Sequence, residues 1–220
     1  MSQEDIKKLV SLQRNHFKSA SVKPYQNRIA LLRKLKEVIL SNKDKIYGAL
    51  KKDLNKCEFE AYVSETGLLI KDIDFVVKKL KRWMRPNRIK TPLIHFPAKS
   101  YIYHEPYGTI LIIAPWNYPL QLLISPLIGA LSAGNTAIIK PSEIARNTSH
   151  VVAEIIGKHF DPEVVSVVEG SVQETTHLLN EHFDYIFYTG SAKVGKIVME
   201  NAARHLTPIT LELGGKSPCL

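Results

Sequence analysis

The 220 residues are 45% hydrophobic and 23% charged, an ordinary balance for a soluble globular chain, and no apolar run reaches the ~18 residues that cross a bilayer. The formal net charge of +9 is lopsided: residues 1–100 hold 23 Lys and Arg against 10 Asp and Glu, while residues 101–220 hold 7 against 11. Two cysteines, Cys57 and Cys219, exclude a disulfide framework and fit a reducing, cytoplasmic setting, and the acidic start Met1-Ser2-Gln3-Glu4-Asp5 predicts no secretory signal.

In chain order, Ile6, Leu9, Val10 and Phe17 recur at helical spacing. Pro24 opens a second helix that buries Tyr25, Ile29, Leu32, Leu35 and Ile39, and Ser41-Asn42 breaks it. A shorter helix follows with Ile46, Leu50 and Leu54. From Glu58 to Met84 runs one long helical pattern through Leu69, Ile73, Val76, Val77, Leu80 and Trp83, ended by Arg85-Pro86-Asn87. Residues 1–85 therefore read as a helical layer. Their basic residues interleave with apolar helical positions, and the densest cluster, Lys78 to Arg85, falls in the last turns of a helix, where cations suit the dipole. A solvated helical face is preferred over a nucleic-acid site, which stays open as an alternative.

Residues 86–108 read as an irregular, proline-broken connection and one strand, Ser100–Glu105, closed by a turn at Pro106-Tyr107-Gly108. From 109 the texture becomes strands alternating with helices. The strands are Thr109–Ala114, Thr136–Ile139, Val164–Val168, Tyr185–Tyr188 and Pro208–Leu213. The helices run from Pro119 to Leu131 with Pro126 as a kink, from a cap at Asn147 to Phe160, around Glu174–Asn180, and through Val194, Ile197, Val198 and Ala202. Asn147-Thr148-Ser149 matches a glycosylation sequon, but it is read as a helix start. Continuous apolar strands with short crossovers predict an α/β fold: a helical N-terminal layer on a Rossmann-like, five-stranded parallel sheet covered on both faces.

Ligands of such sheets bind at the carboxyl ends of the strands. The unusual residues collect there: Pro115-Trp116-Asn117-Tyr118-Pro119, Lys140-Pro141-Ser142-Glu143, Glu169-Gly170, Gly190-Ser191, and Glu212-Leu213-Gly214-Gly215. The first turn lacks a G-x-G-x-x-G fingerprint, so a dinucleotide cannot use it in the usual way. The strand–Gly190-Ser191–helix turn is the candidate phosphate seat, since free helix N–H groups and the dipole favour an anion. An ordinary βα turn with a serine cap is its structural alternative. None of the eight histidines stands at metal spacing from a cysteine or another histidine, which predicts no metal.

The Pro115–Pro119 block, Lys140–Glu143, the Gly190-x4-Gly195 turn and Leu211-Glu212-Leu213-Gly214-Gly215-Lys216, in this order, resemble the aldehyde dehydrogenase superfamily over the whole chain. Asn117-Tyr118-Pro119 is most similar to the class 3 group, whose members oxidise aliphatic or aromatic aldehydes to acids with NAD or NADP. The resemblance implies that Asn117 stabilises the oxyanion formed when a cysteine thiolate attacks the aldehyde, a role in which one amide donor contributes about 3 kcal/mol. It implies that Glu212 is the base for the hydrolytic water, its carboxylate shifted toward neutrality by burial between Leu211 and Leu213. Lys140 and Glu143 match residues on the adenosine ribose, and a carboxylate there favours NAD over NADP. Trp116 would lie beside the cofactor. Gly190, Ser191 and Gly195 match the pyrophosphate turn, and Ser100–Glu105 matches part of a β-arm that joins homodimers.

The same resemblance puts the nucleophilic cysteine further along the chain than Glu212, in a second α/β domain. Cys57 is far from the motif, and Cys219 reads as a buried strand thiol rather than the nucleophile. The expectation is thus a cofactor-binding half, with 1–85, 86–108 and 109–220 as its parts and the thiol-bearing domain absent. Such a chain would be inactive alone. The alternatives are a non-catalytic dinucleotide-binding fragment, a nucleic-acid-binding protein acting through the basic half, and an acylating relative that passes its thioester to coenzyme A.

Overall fold

The computed structural model describes residues 1–217 and Cys219; the strand-like run expected up to Leu220 lies outside the described residues. Helix α1 (Gln3–Lys18) starts on a capping box in which Ser2 and Asp5 each bond the other's backbone N–H. Helix α2 (Tyr25–Ser41) follows Pro24, and α3 (Lys43–Leu54) follows the expected break at Asn42. The long pattern from Glu58 is three segments: α4 (Glu58–Ala61), a π-helical turn at Tyr62–Thr66, and α5 (Gly67–Trp83).

Strand β1 (Asn87–Ile89) pairs antiparallel with β2 (Ser100–Ile102), so the connection contains an exposed two-stranded ribbon. The β1 partner carries no alternating pattern, being three exposed residues directly after Pro86, and the expected strand at 100–105 is shorter than read. The remaining elements are β3 (Thr109–Ile113), α6 (Gln121–Ala133), β4 (Thr136–Lys140), α7 (Arg146–His159), β5 (Val165–Val167), α8 (Val172–Leu179), β6 (Tyr185–Gly190), α9 (Ala192–Ala203) and β7 (Ile209–Leu213).

The five later strands form one sheet in the order β5-β4-β3-β6-β7, and each neighbouring pair is parallel. β3 and β4 are buried along their whole length because helices cover both faces. Period-two alternation divides the core. Ile110, Ile112, Ala137 and Ile139 share one cluster with α2, α3, α5, α6 and α7, while Leu111, Ile113, Ile138, Ile186 and Tyr188 share the other with α1, α8 and α9.

The first 85 residues therefore do not make a single layer: α1 crosses to the opposite face from α2–α5. Its buried Gln13 locks it there, donating through Nε2 to the carbonyls of Ala137 and Pro162 at 3.0 Å each. α6 runs through Pro126 as one helix and stops at Gly134, whose φ of 88° needs a residue without Cβ. Asn147 is not the cap of α7. Position Ala145 holds the cap and makes no side-chain bond. Instead Asp53, at the end of α3, accepts from the Asn147 N–H (3.1 Å), the Asn147 side-chain amide (2.7 Å) and the Thr148 N–H (2.7 Å).

The chain leaves β3 toward β4 on one side and returns through β6 on the other. The direction of strand succession thus reverses beside β3, and the crevice for a ligand opens above the ends of β3 and β6.

Candidate functional site

The loop after β3 is clamped from below. Glu65, inside the π-helical turn, accepts through Oε2 from the N–H groups of Leu120 (3.1 Å) and Gln121 (2.8 Å), so it caps α6. Its Oε1 accepts from Lys56 Nζ at 2.6 Å, and Lys56 also donates to the Asn117 carbonyl at 3.2 Å and lies 4.2 Å from the Tyr118 ring centroid. Burial pushes the Glu65 carboxyl above the ordinary carboxylate range, opposed by Lys56 and the two N–H groups.

The turn after β6 is built on Tyr188. A Cβ at Gly190 would stand 2.3 Å from the Tyr188 hydroxyl, so any larger residue would have to displace that ring. Burial pushes the Tyr188 phenol up, and its hydroxyl donates to the Ser191 carbonyl at 3.3 Å. Ser191 caps α9 through Oγ, which accepts from the Val194 N–H at 3.4 Å. Gly195 donates its N–H to the Ser191 carbonyl, and a Cβ there would meet Leu213 at 2.8 Å.

These turns enclose two connected hollows. A cavity of about 860 Å³ is lined by Trp116, Asn117, Thr189, Gly190, Ser191, Glu212 and the Gly214–Lys216 segment, among others. A cleft of about 360 Å³ runs from it between the end of β4 and helices α8 and α9, past Lys140, Pro141, Ser142 and Glu143. Pro115, Trp116, Thr189, Gly190 and Ser191 line both. Lys140 is only 1% exposed; its ammonium donates to the Pro141 carbonyl at 2.8 Å and lies 3.6 Å from the Glu143 carboxylate. Burial lowers the Lys140 pKa, and Glu143, Glu174 and Glu169 work against that.

Of the residues expected from sequence, Trp116, Asn117, Gly190, Ser191 and Glu212 meet in the cavity, and Lys140 and Glu143 in the cleft. Gly195 lines neither; it is buried beneath the turn, where it lets α9 approach β7. The burial expected for Glu212 between Leu211 and Leu213 is not there: Glu212 and Leu213 are both exposed at the end of β7, the outermost strand. Cys219 is exposed rather than buried, because it lies past β7 and outside the sheet. Sequence reasoning missed Lys56 and Glu65, and it read Tyr188 only as the end of a strand. One signal for Glu65 was present: with Leu69 and Ile73 it continues the i, i+4 apolar stripe, so a carboxylate sits on the buried face of a helix.

The sequence model of the aldehyde dehydrogenase family matches residues 1–220. The chain belongs to the aldehyde dehydrogenase family. Mouse aldehyde dehydrogenase family 3 member B2 is 47% identical over 206 residues, which are 94% of this chain and 43% of that protein. Among solved structures, Staphylococcus aureus AldH in its substrate-bound state superposes with a TM-score of 0.95 at 47% identity, over 97% of this chain and 46% of that one. A Mycobacterium tuberculosis aldehyde dehydrogenase complexed with NAD+ superposes at 0.86 with 25% identity, over 98% of this chain and 45% of that one. The chain thus spans less than half the length of these aldehyde dehydrogenases. Neither Cys57 nor Cys219 is among the residues that line the cavity, and both are exposed.

Proposed function

We propose that the chain is the dinucleotide-binding side of an aldehyde dehydrogenase that oxidises aldehydes to carboxylic acids with NAD, and with NADP as the second choice. One observation carries this reading: Asn117 and Glu212 line the same cavity as the Gly190-Ser191 turn, at the carboxyl ends of parallel strands. The donor set of the adjoining cleft fits an adenosine ribose, with a buried ammonium and a carboxylate 3.6 Å apart to share a vicinal diol. Lys140 and Glu143 would hold that ribose, the capped start of α9 at Ser191 would hold the pyrophosphate, and Trp116 would border the nicotinamide end. When bound, the nicotinamide supplies the hydride acceptor. Asn117 donates its side-chain N–H to the oxygen on which negative charge develops, and Glu212 accepts the proton of the attacking water at its carboxylate. In the parts of this reading, 109–220 is the dinucleotide-binding core, 1–85 its helical support, and 86–108 the connection and β-arm of a homodimer in a reducing, cytoplasmic setting.

A second reading, a dinucleotide binder without chemistry, is favoured by the absence of Cys57 and Cys219 from the cavity lining. Titration with NAD+, followed by tryptophan fluorescence, and an assay of aldehyde-dependent NADH formation decide between them. Saturable binding with turnover supports the enzyme, binding without turnover supports the second reading, and no binding at millimolar NAD+ overturns both.

A further inference from the structure

Lys56 and Glu65 take no part in the proposed chemistry, yet their side chains are 6% and 0% exposed and their charged atoms are 2.6 Å apart. A buried ion pair is weak evidence for stability, because apolar replacements of similar volume often do as well. What sets this pair apart is where its other bonds go. Lys56 donates to the Asn117 carbonyl and sits over the Tyr118 ring, and Glu65 accepts from the N–H groups of Leu120 and Gln121. All of those partners fall between Asn117 and Gln121, in the second half of the loop that joins β3 to α6 and in the first residue of α6. Glu65 reaches them from a π-helical turn, a local irregularity frequent at functional sites.

We infer that Lys56 and Glu65 are positioning residues: the buried pair clamps the Asn117–Gln121 segment from both ends and so fixes the direction in which the Asn117 amide enters the cavity. The inference rests on the oxyanion role proposed for Asn117. Such a donor works only if its direction is set before the charge appears, since reorientation during the reaction would cost what the bond gains. Asn117 and Trp116 face open space, so their order must come from the backbone side, and the pair supplies it there.

The test is nitrogen-15 relaxation on the chain and its K56M, K56R and E65Q variants, read at the Tyr118 N–H, whose peptide plane carries the Asn117 carbonyl, and at the Asn117 side-chain amide. In the parent the Tyr118 order parameter is expected in the rigid range near ~0.85, and in K56M below about 0.6. The Asn117 side-chain amide resonance should shift as well, while the Gln121 N–H stays protected because Glu65 still accepts from it. K56R should restore both signals. An unchanged Tyr118 order parameter in folded K56M overturns the inference. Should K56M not fold, E65Q decides: it keeps an acceptor for Leu120 and Gln121 but removes the charge that holds Lys56, so loosening of Tyr118 supports the clamp and an unaltered Tyr118 sinks it. Where the assay of aldehyde-dependent NADH formation detects turnover, K56M should lower kcat about 100-fold with KM for NAD+ unchanged, and K56R should recover it; the relaxation result decides the clamp with or without turnover. A separate arm keeps the two ideas apart: Asn117→Ala with undiminished kcat removes the oxyanion reading, whatever the relaxation data say of the clamp.

Discussion

Asn117 enters the cavity on a backbone gripped by Lys56, beside a Trp116 side chain that is 48% exposed. Its job under the proposed chemistry is that of a lone neutral donor, so truncation should act on the rate and leave binding alone. Asn117→Ala is expected to lower kcat by about 10²–10³ while the Kd for NAD+ stays put, checked by steady-state kinetics beside a binding titration. Glu143 stands at the other end of the connected hollows, 46% exposed in its side chain and 3.6 Å from Lys140. A carboxylate there repels a 2′-phosphate. Glu143→Gln should therefore shift the ratio of NADP to NAD dissociation constants toward NADP by about tenfold, equivalent to ~1.4 kcal/mol. Equal affinities before and after the change would remove Glu143 from the ribose site. At this scale the motif residues were legible in sequence because each lies within a few positions of a strand end. Lys56 was not, since its partners are 9 and 61 residues away along the chain.

Helix α7 illustrates how one element borrows its terminus from another. Its own first residues offer no side-chain cap, and Asp53 supplies three acceptor contacts from the end of α3. Burial alone would raise the Asp53 pKa, but the hydrogen bonds from Asn147 and Thr148 outweigh it and hold the carboxyl below its ordinary value. A depressed carboxylate adds stability above the unfolded-state value of 3.8 and loses it as the pH falls through the lower folded value. Asp53→Ala is expected to cost about 1 kcal/mol in urea unfolding at neutral pH, and to flatten the acid limb of the stability curve below that value. A variant that kept the parent's acid limb would show that Asp53 does not cap α7. Asn147 looked like the cap because Asn favours that position locally. The chain instead used it as a double donor to Asp53, a choice that depends on α3 lying against α7.

For the whole molecule, the exposed ribbon and the basic half make two predictions. β2 has β1 on one side, and Tyr101, Ile102 and Tyr103 on and after it are 45%, 46% and 66% exposed. A second copy pairing there would cover them, so light scattering should give a dimer mass, and Ile102→Lys should shift it toward monomer. A monomeric parent would remove the β-arm reading. The surplus of Lys and Arg in residues 1–100 is read as a solvated face, so fluorescence anisotropy with a generic DNA duplex should detect no salt-dependent binding. Local spacing was enough to read the alternating strands and helices from residue 109 on, the parallel α/β class, and the strand ends and turns that carry Trp116, Asn117, Lys140, Glu143, Gly190, Ser191 and Glu212. These are encoded in spacings of two to four residues, and periodicity reports them without reference to the rest of the chain. Packing across the fold is what sends α1 to the other face, caps α7 with Asp53, has Gly195 make room for Leu213, and sets Lys56 and Glu65 on the Asn117 loop. Each of those depends on which segments the strand order β5-β4-β3-β6-β7 brings side by side, and contacts across tens of residues leave no local period to read.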